Sequence, residues 1–171
     1  MLERDPPMLM VQCDFDDTIT DGNVSLAIRE AFGIGDWHRL QKEYVAGSRS
    51  VEESNIIQYA MVRASTVALS EFLSTQVIVR DGFEEFADRC QREGTRLVVV
   101  SSGLDVYIHP TMKRLGLGHL EVHSGTATVT GSGMQIEYAD PSGNSITRGF
   151  KESFLREFKS AGHTVIYIGD G

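Results

Sequence analysis

Three short apolar runs, each ending in polar residues, constrain this chain more than any other feature. Met8–Cys13 is apolar apart from Gln12, Arg96–Val100 reads RLVVV, and Thr164–Ile168 reads TVIYI. Runs without polar alternation suit parallel strands covered on both faces. Helical patterns separate them. Phe83, Phe86, Ala87 and Cys90 share one face of a helix that stops at Gly94, and Phe150, Phe154, Leu155 and Phe158 do the same before Gly162. A helix is expected from Gly103 to Leu115, with Pro110 as a kink or restart, and then short strands over Glu121–Tyr138 joined by a tight turn at Gly131–Gly133. Residues 140–144, DPSGN, are loop chemistry. The plan is α/β with a mainly parallel, Rossmann-like sheet, in which ligands sit beyond the carboxyl ends of the strands.

Between the first two runs the pattern is helical from Asn23 to about Thr75. Val24, Ala27, Ile28, Ala31 and Phe32 recur at helical spacing up to Gly33. Trp37, Leu40, Tyr44 and Val45 continue, Gly47 and Ser48 interrupt, and Ser50 with Glu53 is placed to cap a further helix over Val51–Val62. This is too long for a simple crossover helix. It is expected to be an inserted helical cap over residues 22–79, with residues 1–21 and 80–171 forming the core.

The 171 residues suit one domain able to bury a real core. A net charge of −8 without clustered Lys and Arg argues against nucleic-acid binding. The two cysteines form no metal or redox motif, and no run reaches membrane-spanning length. A cytoplasmic protein with no membrane partner is expected.

The residues that follow the three runs carry the chemistry. Asp14 and Asp16, spaced i and i+2 at a strand end, can face one site, with Thr18 beyond them. An acidic turn reads the same way, so this stretch alone leaves both readings open. Ser101 and Ser102 follow the second run, Asp170 follows the third, and Lys151 comes just before the last helix. Together they supply carboxylates for a divalent cation, and a hydroxyl and an ammonium for phosphate oxygens. Asp17, at its spacing, points away.

DFDDT, the run ending in Ser101, Lys151 and the GDG at 169–171 resemble the four ordered motifs of the haloacid dehalogenase-like phosphohydrolases. The likeness covers essentially the whole chain, and the insert stands where type 1 members carry their cap. DW...EYVAGSRSVEES and SSGLDVYI are similar to the phosphoserine phosphatase-like branch, within it to the methionine-salvage enol-phosphate phosphatases. The resemblance implies Mg2+-dependent hydrolysis of a small phosphorylated metabolite. Asp14 is then the nucleophile, Asp16 the general acid and base, Ser101 a hydrogen-bond donor to phosphate, and Lys151 its counter-charge. Asp14, the Asp16 carbonyl and Asp170 would hold Mg2+. Thr18 would support the loop, while Ser102 and Gly103 at a helix start would offer amides to phosphate.

Two departures accompany the likeness. Phosphoserine phosphatases grip their substrate with an acidic residue and a cap arginine; those positions align here with Asn23 and Ile56, which leaves Arg49 or Arg63 as substitutes. Trp37, Tyr44, Tyr59 and Arg63 are then the candidates for reading the substrate. The chain also stops right after Asp170, where the family continues with a further acidic residue, a helix and a strand. A truncated chain is expected, with an uncovered third strand and impaired activity if this is the natural product. Two alternatives remain: a phospho-acceptor domain of two-component type, which the long insert argues against, and a catalytically impaired binding protein of the same fold.

Overall fold

In a computed structural model, which describes residues 8–170, β1 (Leu9–Cys13) pairs in parallel on both sides of itself. Four helices follow, α1 (Val24–Phe32), α2 (Trp37–Val45), α3 (Val51–Tyr59) and α4 (Thr66–Gln76), and then α5 (Phe83–Arg92) and β2 (Arg96–Leu104). The chain continues through α6 (Asp105–Arg114), β3 (Glu121–Thr130), β4 (Gly133–Glu137), α7 (Phe150–Ser160) and β5 (Thr164–Ile168). The sheet order is β4-β3-β2-β1-β5. Cys13 sits beside Val99 of β2 and Ile168 of β5, so Asp14, Ser101 and Asp170 emerge on one edge of the sheet. β3 runs parallel to β2 over its first residues and antiparallel to β4 over its last.

The four inserted helices begin and end as their sequence directs. Asn23 caps α1 by accepting from the Leu26 amide at 2.8 Å. At the other end Gly33 is required for space, since a Cβ there would lie 2.3 Å from the Arg29 carbonyl and 2.7 Å from the Trp37 ring. Ser50 and Glu53 form the expected capping box of α3, with both hydrogen bonds at 3.0 Å. Thr20 and Val79 bridge at the base of the insert. Above that bridge Tyr59, Val62, Leu69, Leu73 and Val77 belong to the same buried cluster as Val98, Val99 and Val100 of β2.

Two elements differ from expectation. The second strand does not stop at Val100 but runs to Leu104, because a bulge lets Leu104 regain pairing with Gly125 of β3. The following helix therefore starts at Asp105 rather than Gly103, and it passes through Pro110 without restarting. In line with the uncovered third strand expected, the third apolar run forms β5 at the sheet edge, where Ile166, Tyr167 and Ile168 are 48%, 39% and 36% exposed.

Candidate active site

Asp14 leaves β1 with its amide bonded to the Ile168 carbonyl at 2.9 Å, which fixes where its side chain starts. That side chain is buried. One carboxylate oxygen accepts from the Phe15 amide at 2.7 Å, and the other accepts from the Lys151 ammonium. Lys151 stands in the first turn of α7, and Gln12 of β1 ties that turn to the sheet by donating to the Lys151 carbonyl at 3.0 Å. Burial pulls the ammonium down, but the Asp14 charge and the contact with Tyr167 outweigh it and hold Lys151 above the ordinary lysine value. Lys151 keeps its charge.

After Asp16 the chain reverses through Asp17, whose φ of 58° lies in the left-handed region and whose carboxylate turns to Asn23. Asp16 faces the cleft. Its Oδ1 accepts from the Val24 and Ser25 amides in the first turn of α1, at 2.7 and 3.2 Å, and its Oδ2 accepts from the Tyr107 hydroxyl at 2.6 Å. Burial raises its pKa to about 6, against these hydrogen bonds and with help from the charge of Asp14. Thr18 does not support this loop with its hydroxyl, which is buried without a partner among the described residues. Thr20 does so through the Gly22 and Phe15 carbonyls at 2.8 and 3.2 Å, and Arg80 holds the Asp17 and Thr18 carbonyls, both at 3.1 Å.

Ser101 is 1% exposed and lines the cleft, its hydroxyl accepting from the Gly103 amide at 3.1 Å. Ser102 and Gly103 have other duties than the helix-start amides expected of them. Because β2 continues past them, the Ser102 hydroxyl donates to Glu52 of α3 at 3.1 Å, and its carbonyl accepts from Tyr138 and Asn55 at 2.6 and 2.9 Å. Gly103 provides clearance: a Cβ there would lie 2.4 Å from the Tyr107 hydroxyl and 2.8 Å from Asp16 Oδ2. Arg63 is outside the cleft, donating to the Ala60 and Val62 carbonyls, and Arg49 pairs with Glu43. Trp37 and Tyr59 are core residues, which leaves Tyr44 as the cleft-lining member of that group.

The cleft has a volume of about 150 Å3. Asp14, Asp16, Ser101, Lys151 and Asp170 form its sheet-edge wall, while Asn23, Ser25, Arg29, Tyr44 and Asn55 form the wall supplied by the insert. Arg29 and Asn55 lie outside every motif stretch singled out in the sequence, and Glu52 and Tyr107 lie inside EYVAGSRSVEES and SSGLDVYI without an individual role. The available signal was their polarity at or beside positions of apolar helical periodicity. Among the described residues no three His, Cys, Asp or Glu side chains converge to hold an ion by themselves. A cation here would instead take the Asp14 and Asp170 carboxylates and the Asp16 carbonyl, which accepts no hydrogen bond among the described residues. Two carboxylates, a carbonyl and several waters make an all-oxygen set of the kind Mg2+ prefers.

A family model described as haloacid dehalogenase-like hydrolase matches residues 11–171. A curated 2-hydroxy-3-keto-5-methylthiopentenyl-1-phosphate phosphatase of Brevibacillus brevis (strain 47) is 26% identical over 166 residues, covering 95% of this chain and 75% of that protein. One of the same name from Exiguobacterium sp. is 27% identical, covering 94% and 76%. Among solved structures, a phospho-aspartyl intermediate analogue of phosphoserine phosphatase superposes with a TM-score of 0.70 at 18% identity, over 97% of this chain and 79% of that one. A substrate-bound phosphoserine phosphatase gives 0.68, also at 18% identity, over 99% and 80%. The architecture is therefore shared with phosphoserine phosphatases, a mixed five-stranded sheet flanked by helices.

Proposed function

The chain belongs to the haloacid dehalogenase-like hydrolases and is a phosphoric monoester hydrolase; on that premise we propose that it cleaves a small phosphomonoester through an aspartyl phosphate on Asp14. The observation that carries this reading is the contact of Lys151 with Asp14, at a sheet edge where Ser101 and Asp170 line the same cleft. Asp14 attacks phosphorus, which splits a difficult hydrolysis into two displacements. Lys151 turns part of its charge from Asp14 to the phosphoryl oxygens as they arrive, and the Ser101 hydroxyl donates to one of them. Asp16, raised to about 6, keeps a protonated fraction near neutral pH. It gives that proton to the leaving oxygen and then takes one from the water that frees Asp14.

Asp14, Asp170 and the Asp16 carbonyl are the residues that would hold Mg2+. Bound there, the ion supplies positive charge that screens carboxylate from phosphate, whose mutual repulsion is about 4 kcal/mol per charge pair at 4 Å and an effective dielectric of 20. The helices of the insert act as a cap that selects the leaving group. The cleft suits a small metabolite, and the phosphate ester named for the curated relatives is the first one to test.

Phosphate release from an aryl phosphate, with Mg2+ and with a chelator, tests the reading. Sustained, Mg2+-dependent turnover that Asp14→Asn abolishes is expected. Full activity of Asp14→Asn at saturating Mg2+ would refute the nucleophile. A single stoichiometric phosphorylation would point to a phospho-acceptor domain, and Mg2+ binding without turnover to a binding protein.

A further inference from the structure

Arg29 sits four residues after Ser25 on α1, so both face the same side of the helix. It is 5% exposed. Its Nη1 donates to Ser25 Oγ and to Asn55 Oδ1, both at 3.0 Å, and its guanidinium carbon lies 5.5 Å from the centroid of the Tyr59 ring. No carboxylate among the described residues pairs with it. Nε is buried and has no hydrogen-bond partner, and no described residue accepts from Nη2. Taking a guanidinium out of water without an acceptor for its protons is costly, so an oxygen brought to these protons from the cleft is strongly favoured.

The unpartnered atoms define what that acceptor looks like. Nε and Nη2 share one edge of the guanidinium plane, and two parallel N–H groups on that edge match two oxygens side by side. Arg29 lines the cleft that also contains Asp14, Ser101 and Lys151, so an ester whose phosphate rests on those three can present its remaining atoms to Arg29. The insert's wall of the cleft contains no acidic residue, and the Asn23 amide is committed to the Leu26 amide and to Asp17. A substrate ammonium would find no counter-charge there.

We propose that Arg29, held by Ser25 and Asn55, is a specificity-determining residue that binds two neighbouring oxygens on the leaving group of the phosphomonoester. This rests on the phosphatase reading above. The shared chemistry is an oxygen pair near the ester, and a carboxylate or a vicinal hydroxy-ketone supplies it.

Three probes of similar size separate the cases: phosphoglycolate carries the carboxylate, dihydroxyacetone phosphate the hydroxy-ketone, and n-propyl phosphate neither. Wild-type kcat/KM for at least one oxygen-pair compound is expected to exceed that for n-propyl phosphate by about tenfold or more, and Arg29→Lys is expected to collapse that ratio. The Arg29 Nε–H resonance, followed by heteronuclear NMR in Asp14→Asn, gives a readout independent of turnover. It should shift with the preferred compound and not with n-propyl phosphate, and the compound that shifts it tells carboxylate from hydroxy-ketone. A resonance that ignores all three compounds, or moves alike with all three, overturns the assignment. Absence of wild-type turnover on every probe counts instead against the phosphatase reading, and the NMR titration then decides on Arg29 alone.

Discussion

On the sheet side of the cleft, Asp14 and Asp170 follow the ends of β1 and β5 and Ser101 sits at the bulge of β2, so the register of the sheet sets their spacing. On the opposite side Ser25 and Arg29 come from α1 and Asn55 from α3, two helices whose relative placement depends on packing. The first wall is built on backbone hydrogen bonds and can serve any phosphate. The second is built on side chains and can be changed one residue at a time. On the proposed reading, the chemistry sits at the strand ends with Lys151 of α7, and choice of substrate on the inserted helices.

Lys151→Met should break the symmetry between the walls most clearly. On the reading above it lowers kcat on the order of 10²–10³-fold for every phosphate ester alike, whereas Tyr44→Ala shifts KM by an amount that depends on the leaving group. Steady-state kinetics on several esters decides this, and a Lys151→Met effect that varies with the leaving group would place Lys151 among the selecting residues.

The seam between the walls is tested next. Glu52 of α3 is 2% exposed and accepts from Ser102 Oγ and from the Phe150 amide, both at 3.1 Å. Glu52→Ala strands two buried donors, and urea unfolding should show a loss of about 2–4 kcal/mol. A loss below about 1 kcal/mol would mean that the seam is held by Ser50 and Asn55 instead.

Two carboxylates then predict opposite pH behaviour. Asp16 has a folded pKa near 6, above its ordinary 3.8, so its contribution to stability is fully present below 3.8 and is lost as pH rises through 6. In chelator, Asp16→Asn should gain on the wild type by about 3 kcal/mol between pH 3.5 and 7.5 in thermal or urea unfolding. Glu121, held near 2 chiefly by His123 and then by Arg96, runs the other way. Its contribution is present above 4.5 and is lost as pH falls through 2. Because that side chain is 37% exposed, Glu121→Gln should cost under about 1 kcal/mol near neutral pH, and no gain should appear there.

The wall on the strands was legible because apolar runs without alternation announce buried strands and the residue after each run lands at the ligand edge. Asp14, Ser101 and Asp170 followed from that rule, and the Ser50–Glu53 cap followed from its own motif. Ser102 and Gly103 line the cleft, but from a strand and not from a helix start, because a bulge is invisible in hydrophobic pattern: nothing in SSGL says that Leu104 will find Gly125 again. Arg63 was misplaced because a lone arginine in an insert has no spacing to follow, and its donors were satisfied locally by carbonyls. Arg29 stayed hidden beside Ile28, on the flank of an apolar stripe, and only its neighbours Ser25 and Asn55 give it a role.

The buried cluster that runs from Tyr59, Leu69 and Leu73 of the insert into Val98–Val100 of the sheet bears on how the molecule comes apart. With one apolar interior shared between them, neither half can melt while the other stays intact. The amides of α3 and of β2 should exchange with solvent through the same global opening, with equal protection against deuterium, and denaturation should follow a single cooperative step.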